Sequence, residues 1–276
     1  MKRFHQLRAE ERHVLLEKGT EAPGSGGFCE QSKEGVYICR QCDLPLFLSS
    51  SKFSCGCGWP SFDEALEVEE RPDGDRTEVV CLRCQGHLGH VFDGERLTPK
   101  NRRYCINSVA LDFVGARDEK GYEKIVVAGG CFWGVEHLMR AVSKTAVSGY
   151  IGGEVVDPTY EEVCHGSTGH AEAVLVTFEV GCVEKVLKAF FELHDPTQKD
   201  GQGPDLGSQY RSEVFYFTKE QKATCEQLIT ELERQGLSVA TQVSPASRFY
   251  PAEDYHQSYY EKTGKAPYCH RRVKRF

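Results

Sequence analysis

The sequence predicts two domains of different fold joined head to tail, the first mainly β with twisted antiparallel sheets, the second an α+β two-layer sandwich with a mixed, ferredoxin-like sheet. Three observations carry this reading. Short β-rich runs broken by Gly, Pro, Asp and Ser fill the first part of the chain. A polar, glycine-bounded stretch follows at 115–121, and beyond it strand-like and helix-like periods alternate. With 276 residues the chain is long enough for two cores. The expected division is 1–114, a linker at 115–121, and 122–276.

In chain order, a modest helical signal comes first, over 6–18, where Leu7, Val14 and Leu15 lie among charges. Residues 36–38, 77–80 and 104–113 read as strands. After the linker, 124–128 reads as a strand, and Phe132, Val135, Met139 and Val142 recur at helical spacing. A strand at 173–178 leads into a second helix through Val183, Val186, Leu187 and Phe190, and a strand at 214–217 precedes a charged helix over 219–235. The order strand, helix, strand, strand, helix, strand puts helices on one face of a sheet.

The formal net charge of −7 argues against a phosphate-tracking surface, so no nucleic-acid partner is expected. The basic tail at 270–275 reads as a solvated end. The N-terminus carries no apolar run of signal-peptide length, and no stretch approaches a membrane span, so no membrane association is expected. Thirteen cysteines in such a chain suit a reducing, cytoplasmic setting, where they serve as metal ligands or redox catalysts.

Cys39 with Cys42 and Cys81 with Cys84 have the two-residue spacing that lets both sulfurs of a turn reach one ion. Two such turns supply four thiolates, predicting one structural zinc that staples the first domain. Four protein ligands leave no open position for chemistry. The alternative is two separate redox pairs, but neither lies between a strand and an evident helix.

Cys131 follows two glycines at the end of a strand and opens a helix, where unsatisfied N–H groups favour a thiolate. Gly129 and Gly130 are expected to let a substrate approach the backbone. The plain alternative is a capping turn with a small hydrophobic cysteine. Cys105, in Arg103-Tyr104-Cys105-Ile106-Asn107, is a second candidate nucleophile.

With Gly130-Cys131-Phe132-Trp133, the polar segments 158–172 and 203–212 closely resemble peptide methionine sulfoxide reductase A over 122–276. The resemblance implies that Cys131 is the nucleophile and Glu172 the acid. It also implies that Tyr160, Asp205 and Tyr210 bind the sulfoxide oxygen or its water, and that Phe132 and Trp133 hold the methyl group. Gly56-Cys57-Gly58-Trp59-Pro60-Ser61-Phe62, His87-Leu88-Gly89-His90 and the Cys105 segment resemble methionine sulfoxide reductase B over about 5–114, in its zinc-bearing branch. There the resemblance makes Cys105 the nucleophile, Cys57 the resolving thiol and Trp59 the methyl contact, with His87, His90, Arg103 and Asn107 arranging and protonating the substrate. Substrates would be oxidised proteins and peptides containing methionine sulfoxide.

The chemistry agrees with these roles. A thiolate attacks a sulfoxide sulfur only while the oxygen is protonated or strongly hydrogen-bonded, so each thiol must face an acid. The sulfur is a stereocentre, and two pockets answer two epimers. The resulting sulfenic acid condenses with a second thiol. By resemblance that is Cys57 in the first domain and Cys269 in the second, with thioredoxin as external reductant and no organic cofactor. Cys164, Cys182 and Cys225 read as structural, and Cys29 is unassigned.

Several features depart from many relatives. Cys55 stands where Ser is common and competes as a resolving thiol. The loop after His90 is one residue shorter before its glycine, which unsettles the place of Asp93. The chain ends soon after Cys269, which implies a simple two-cysteine cycle. Competing readings are a zinc-dependent scaffold with incidental thiols, and a general thiol peroxidase.

Overall fold

The structure, a computed structural model, describes residues 2–265, 267 and 270–276. It divides into two compact units, Arg3–Gly115 and Ala116–Phe276, the latter together with Lys2.

In the first unit, α1 (Ala9–Leu15) is shorter than its predicted span and buries Val14 and Leu15. It starts where the Glu11 carboxylate accepts the Arg8 backbone N–H at 2.8 Å, satisfying one of the donors a helix leaves open. Nine strands follow: β1 (Gly35–Cys39), β2 (Pro45–Leu48), β3 (Lys52–Phe53), β4 (Ser61–Phe62), β5 (Val68–Asp73), β6 (Arg76–Cys81), β7 (His87–Asp93), β8 (Arg102–Ile106) and β9 (Leu111–Gly115). They form a three-stranded sheet in the order β2-β1-β9 and a six-stranded sheet in the order β3-β4-β8-β7-β6-β5. Every pairing in them is antiparallel. Between the sheets Phe47 stacks on Phe62 at 4.3 Å between centroids, and the edge of Tyr37 meets Phe62 at 5.0 Å.

The β-rich run 104–113 is not one strand. Asn107 breaks it: its backbone N–H and its side-chain amide both donate to the Leu88 carbonyl. The next three residues form a 3₁₀ turn. The chain then leaves the large sheet and enters the small one as β9, against β1.

The second unit contains β10 (Glu123–Gly129), α2 (Phe132–Met139), β11 (Thr145–Ile151), α3 (Tyr160–Cys164), β12 (Ala171–Phe178), α4 (Val183–Leu193), the short hairpin β13 (Gly201–Gln202) and β14 (Asp205–Leu206), β15 (Ser212–Tyr216), α5 (Lys219–Arg234), β16 (Gln242–Pro245), β17 (Tyr250–Pro251) and α6 (Tyr259–Thr263). Its sheet runs β16-β15-β10-β12-β11-β17. Among the described residues only β15 and β16 pair in parallel, so the sheet is mixed. Alternate residues Ile125, Val127, Val174, Val176 and Val214 face one core shared with α2, α4 and α5. The segment expected as a linker includes a turn in which Asp118 accepts the N–H groups of Lys120 and Tyr122.

Further expectations change. The basic tail is exposed over 271–274 but not loose: Arg272 pairs with the Glu192 carboxylate at 2.8 Å, and the Val273 N–H donates to the Glu192 carbonyl. Cys225 is fully buried, as a structural residue should be, but Cys164 is exposed, because α3 is a single turn that buries only Val163.

The space beside Gly129 and Gly130 belongs to the protein itself. A Cβ at Gly129 would lie 3.0 Å from the Phe190 ring, and one at Gly130, where φ is +95°, would lie 2.5 Å from Gln202 Cβ. Close internal packing, not substrate approach, requires these glycines. Phe190 thus supports the turn that leads to Cys131. Phe190→Ala is expected to destabilise the second unit by about 3–5 kcal/mol, read from urea unfolding monitored within that unit; a midpoint within error of the parent would contradict this packing account.

Candidate active sites and metal centre

The two Cys-x-x-Cys segments fold as the same turn. Cys39 ends β1 and Cys81 ends β6. In each, the first cysteine's N–H donates to a carbonyl five residues on (Leu44, Gly86), and its carbonyl accepts from the residue four on (Asp43, Gln85). Both of those residues have positive φ, +58° and +64°. This brings the sulfurs of Cys39, Cys42, Cys81 and Cys84 within 4.8 Å of one another, a group that could hold a metal ion between the two sheets. Arg83 steadies the first turn by donating to the Cys42 carbonyl at 3.0 Å.

Cys105 sits on β8 with His90 of β7 on one side and Ser61 of β4 on the other. A pocket over it is lined by Trp59, Arg76, His90, Phe92 and Asn107. The Cys57 sulfur is 3.9 Å from that of Cys105. Ser61 Oγ lies 3.5 Å from Cys57 Sγ and 3.2 Å from Cys55 Sγ, so the two neighbouring thiols share one hydroxyl. Burial pushes Cys105 up to about 12, reinforced by Cys57 and opposed by Arg103. Burial works the same way on Cys57, but the hydrogen bonds from Ser61 and Cys55 prevail and lower it to about 7. Without substrate, the charge of the pair rests on Cys57.

The surrounding groups are held from behind. His90 Nε2 is 2.9 Å from Asp73, while the buried His87 bonds Glu78 at 2.7 Å and meets the His90 ring edge-on. Burial lowers the His87 pKa against the pull of Glu78. Trp59 Nε1 donates to the Glu21 carbonyl. Asn107 is engaged at both ends, accepting from the Glu21 N–H and donating to Leu88. Arg103, on the same face of β8 as Cys105, makes a two-pronged pair with Glu95 at 2.7 and 2.8 Å. Asp93 instead is exposed and pairs with Arg102 at 3.2 Å. In this loop the partner of Arg103 is therefore Glu95 and not Asp93.

In the second unit the buried Cys131 is the residue before α2. The Glu172 carboxylate, buried on β12, accepts the N–H of Phe132 at 3.1 Å. Thiol and carboxyl thus share the positive end of one helix. Tyr210 has its hydroxyl pKa raised by burial and then by Glu172, Cys164, Asp205 and Cys131, which marks the convergence of these groups. Tyr160 is raised by burial, then by Cys164 and Glu172. Phe132 is buried among the rings of Tyr150, Tyr160 and His256. Trp133 stacks on Tyr259 at 3.7 Å and donates to His256 Nδ1 at 3.0 Å. Because that nitrogen accepts, the His256 proton resides on Nε2. Cys269 lies outside the described residues.

Sequence reasoning missed Ser61, Glu95, Glu253 and His256. Glu253 ties the site together, accepting from the Tyr150 hydroxyl at 2.8 Å and from the Tyr160 N–H at 3.0 Å. The run Pro251-Ala252-Glu253-Asp254-Tyr255-His256 has no regular period, and only its density of polar and aromatic residues marked it.

A family model described as Peptide methionine sulfoxide reductase matches residues 123–276, and one described as SelR domain matches residues 7–115. Peptide methionine sulfoxide reductase MsrA of Acinetobacter baumannii (strain AYE) is 48% identical over 152 residues, covering 53% of this chain and 87% of its own. The protein of the same name from Methanosarcina mazei is 50% identical over 153 residues, covering 52% and 72%. Among solved structures, Mxr1 from Saccharomyces cerevisiae in reduced form is similar with a TM-score of 0.52 at 33% identity, over 55% of this chain and 92% of that one. With these matches over both units and a thiol beside polar partners in each, the chain belongs to the peptide methionine sulfoxide reductase family and is a bifunctional enzyme, a SelR (MsrB) domain followed by an MsrA domain.

Proposed function

We propose that Cys105 reduces the R epimer of methionine sulfoxide and Cys131 the S epimer, in oxidised peptides and proteins. The observation that carries most weight is the 3.9 Å between the Cys57 and Cys105 sulfurs, close enough for a disulfide after a small side-chain rotation. Each thiolate attacks the sulfoxide sulfur; the oxygen passes to the enzyme as a sulfenic acid, and methionine leaves. Cys105 begins as a thiol, so its proton must first go to an acceptor, for which the Cys57 thiolate is at hand. His90, lining the pocket, serves the sulfoxide oxygen, with His87 positioning it. Arg103 favours charge on Cys105, and Asn107 fixes the pocket floor. Trp59 meets the methyl group.

In the second unit Glu172 carries the proton, with Tyr160, Tyr210 and Asp205 around the oxygen, and Phe132 and Trp133 hold the methyl. Cys57 and Cys269 resolve the two sulfenic acids by forming disulfides and releasing water. Thioredoxin, which the family resemblance implies, is the proposed reductant. A cycle that ends in reduced thiols suits the cytoplasm. The core order β15-β10-β12-β11 supports reading the second unit as ferredoxin-like.

Zinc fits the four-cysteine group. Cys39 and Cys84 sulfurs are 3.6 Å apart, and those of Cys42 and Cys81 3.5 Å. A tetrahedron with zinc–sulfur bonds of about 2.3 Å has edges of roughly 3.8 Å. The ion would supply structure only, joining the turn between β1 and β2 to that between β6 and β7.

Three outcomes test these roles. On resolved sulfoxide epimers, Cys105→Ser should abolish turnover of R alone and Cys131→Ser that of S alone; loss of both in either variant would sink the division. Metal analysis should find one zinc per chain in both of those variants and none in Cys39→Ser. In the reduced enzyme, iodoacetamide labelling of Cys57 should rise as pH passes about 7, because its lowered pKa keeps the thiolate above that point, while Cys105 stays largely unlabelled. Labelling of Cys105 ahead of Cys57 at pH 8 would reverse the assignment of the charge.

A further inference from the structure

Gly134 stands inside α2, where glycine costs about 1 kcal/mol relative to alanine. A ring from the far end of the chain accounts for it. A Cβ at Gly134 would lie 2.8 Å from His270 Cε1, 3.0 Å from its Cγ, and closer still to Nδ1. His270 is buried, and its Nε2–H donates to the Gly129 carbonyl at 2.7 Å. A carbonyl only accepts, so this bond keeps the proton on Nε2 and turns Nδ1 toward the helix. The imidazole thereby spans the strand-to-helix turn that carries Cys131. Beyond it the tail is pinned to the end of α4, through Arg272 on Glu192, Val273 on the Glu192 carbonyl and Arg275 on the Phe191 carbonyl.

We propose that His270 is a positioning residue for resolution: seated in the notch left by Gly134, it latches the tail beside Cys131 so that its chain neighbour Cys269 meets the sulfenic acid quickly. The inference rests on the reading of Cys269 as the resolving thiol. Consecutive Cα atoms are about 3.8 Å apart, so a fixed His270 confines the search of the residue just before it. In the step itself the Cys269 sulfur forms a bond to the Cys131 sulfur, the S–OH bond breaks, and hydroxide leaves as water with the thiol proton. The latch makes no contact with substrate. It raises the effective concentration of one thiol at the other.

The test uses the full chain carrying Cys105→Ser, so that only the second site turns over, and an S-sulfoxide peptide without reductant. Gly134→Ala removes the notch, and His270→Ala removes the ring. In both, the first methionine per enzyme should appear at the parental rate, while the Cys131–Cys269 disulfide forms at least about tenfold more slowly and dimedone traps the lingering sulfenic acid. Adding Gly134→Ala to His270→Ala should slow the disulfide no further, since there is no ring left to displace. Disulfide formation at the parental rate in both single variants overturns the latch, as does a further slowing in the double variant. The underlying reading has its own control: Cys269→Ser should leave sulfenic acid on Cys131, and a disulfide still formed there would overturn that reading independently.

Discussion

A thiol that must first attack and then be attacked needs a rigid seat and a second thiol arriving from a different segment. Much of each unit follows from this constraint. Cys105 is seated between two strands, which fixes its direction to within a side-chain rotation. Its partner comes from the loop between β3 and β4, drawn in by the Ser61 hydroxyl. Cys131 is seated at the start of a helix whose preceding glycines are packed against Phe190 and Gln202. Two unrelated scaffolds solve the same problem, one with a sheet and one with a helix terminus.

The candidate acid groups are built differently in the two units. In the first, imidazoles are backed by carboxylates, Asp73 behind His90 and Glu78 behind His87. These contacts orient the rings and bias which nitrogen holds the proton. In the second, one carboxyl is buried beside the thiol and ringed by tyrosines whose ionisation burial suppresses. Those hydroxyls therefore remain donors across the physiological range. Glu253 holds two of the residues around Glu172, through the Tyr150 hydroxyl and the Tyr160 backbone.

The four-cysteine group follows a separate logic. Its two turns are alike down to the left-handed residue, yet they begin on strands of different sheets. Closing them around one ion would tie the sheets together at one end, while Phe47, Phe62 and Tyr37 fill the space between them. The thiol site sits elsewhere on the large sheet, on β8 and β4.

Sequence alone determined the two-unit organisation, the Cys-x-x-Cys pairs and the two segments that carry the candidate nucleophiles, because these depend on local spacing and on period. It also located β10, α2, β12, α4, β15 and α5, whose apolar residues repeat at the period of their element. It did not determine where 104–113 breaks, since that depends on Asn107 finding the Leu88 carbonyl across the sheet. Nor could it separate Asp93 from Glu95 as the partner of Arg103, or show that the basic tail is bound, because ion pairs form between residues that meet only after the chain has folded. α3, which starts at a Thr159–Glu162 capping box, is too short to show a period. The meaning of Gly134 was the least legible of all: only the tertiary structure brings the His270 ring into the space of its missing side chain.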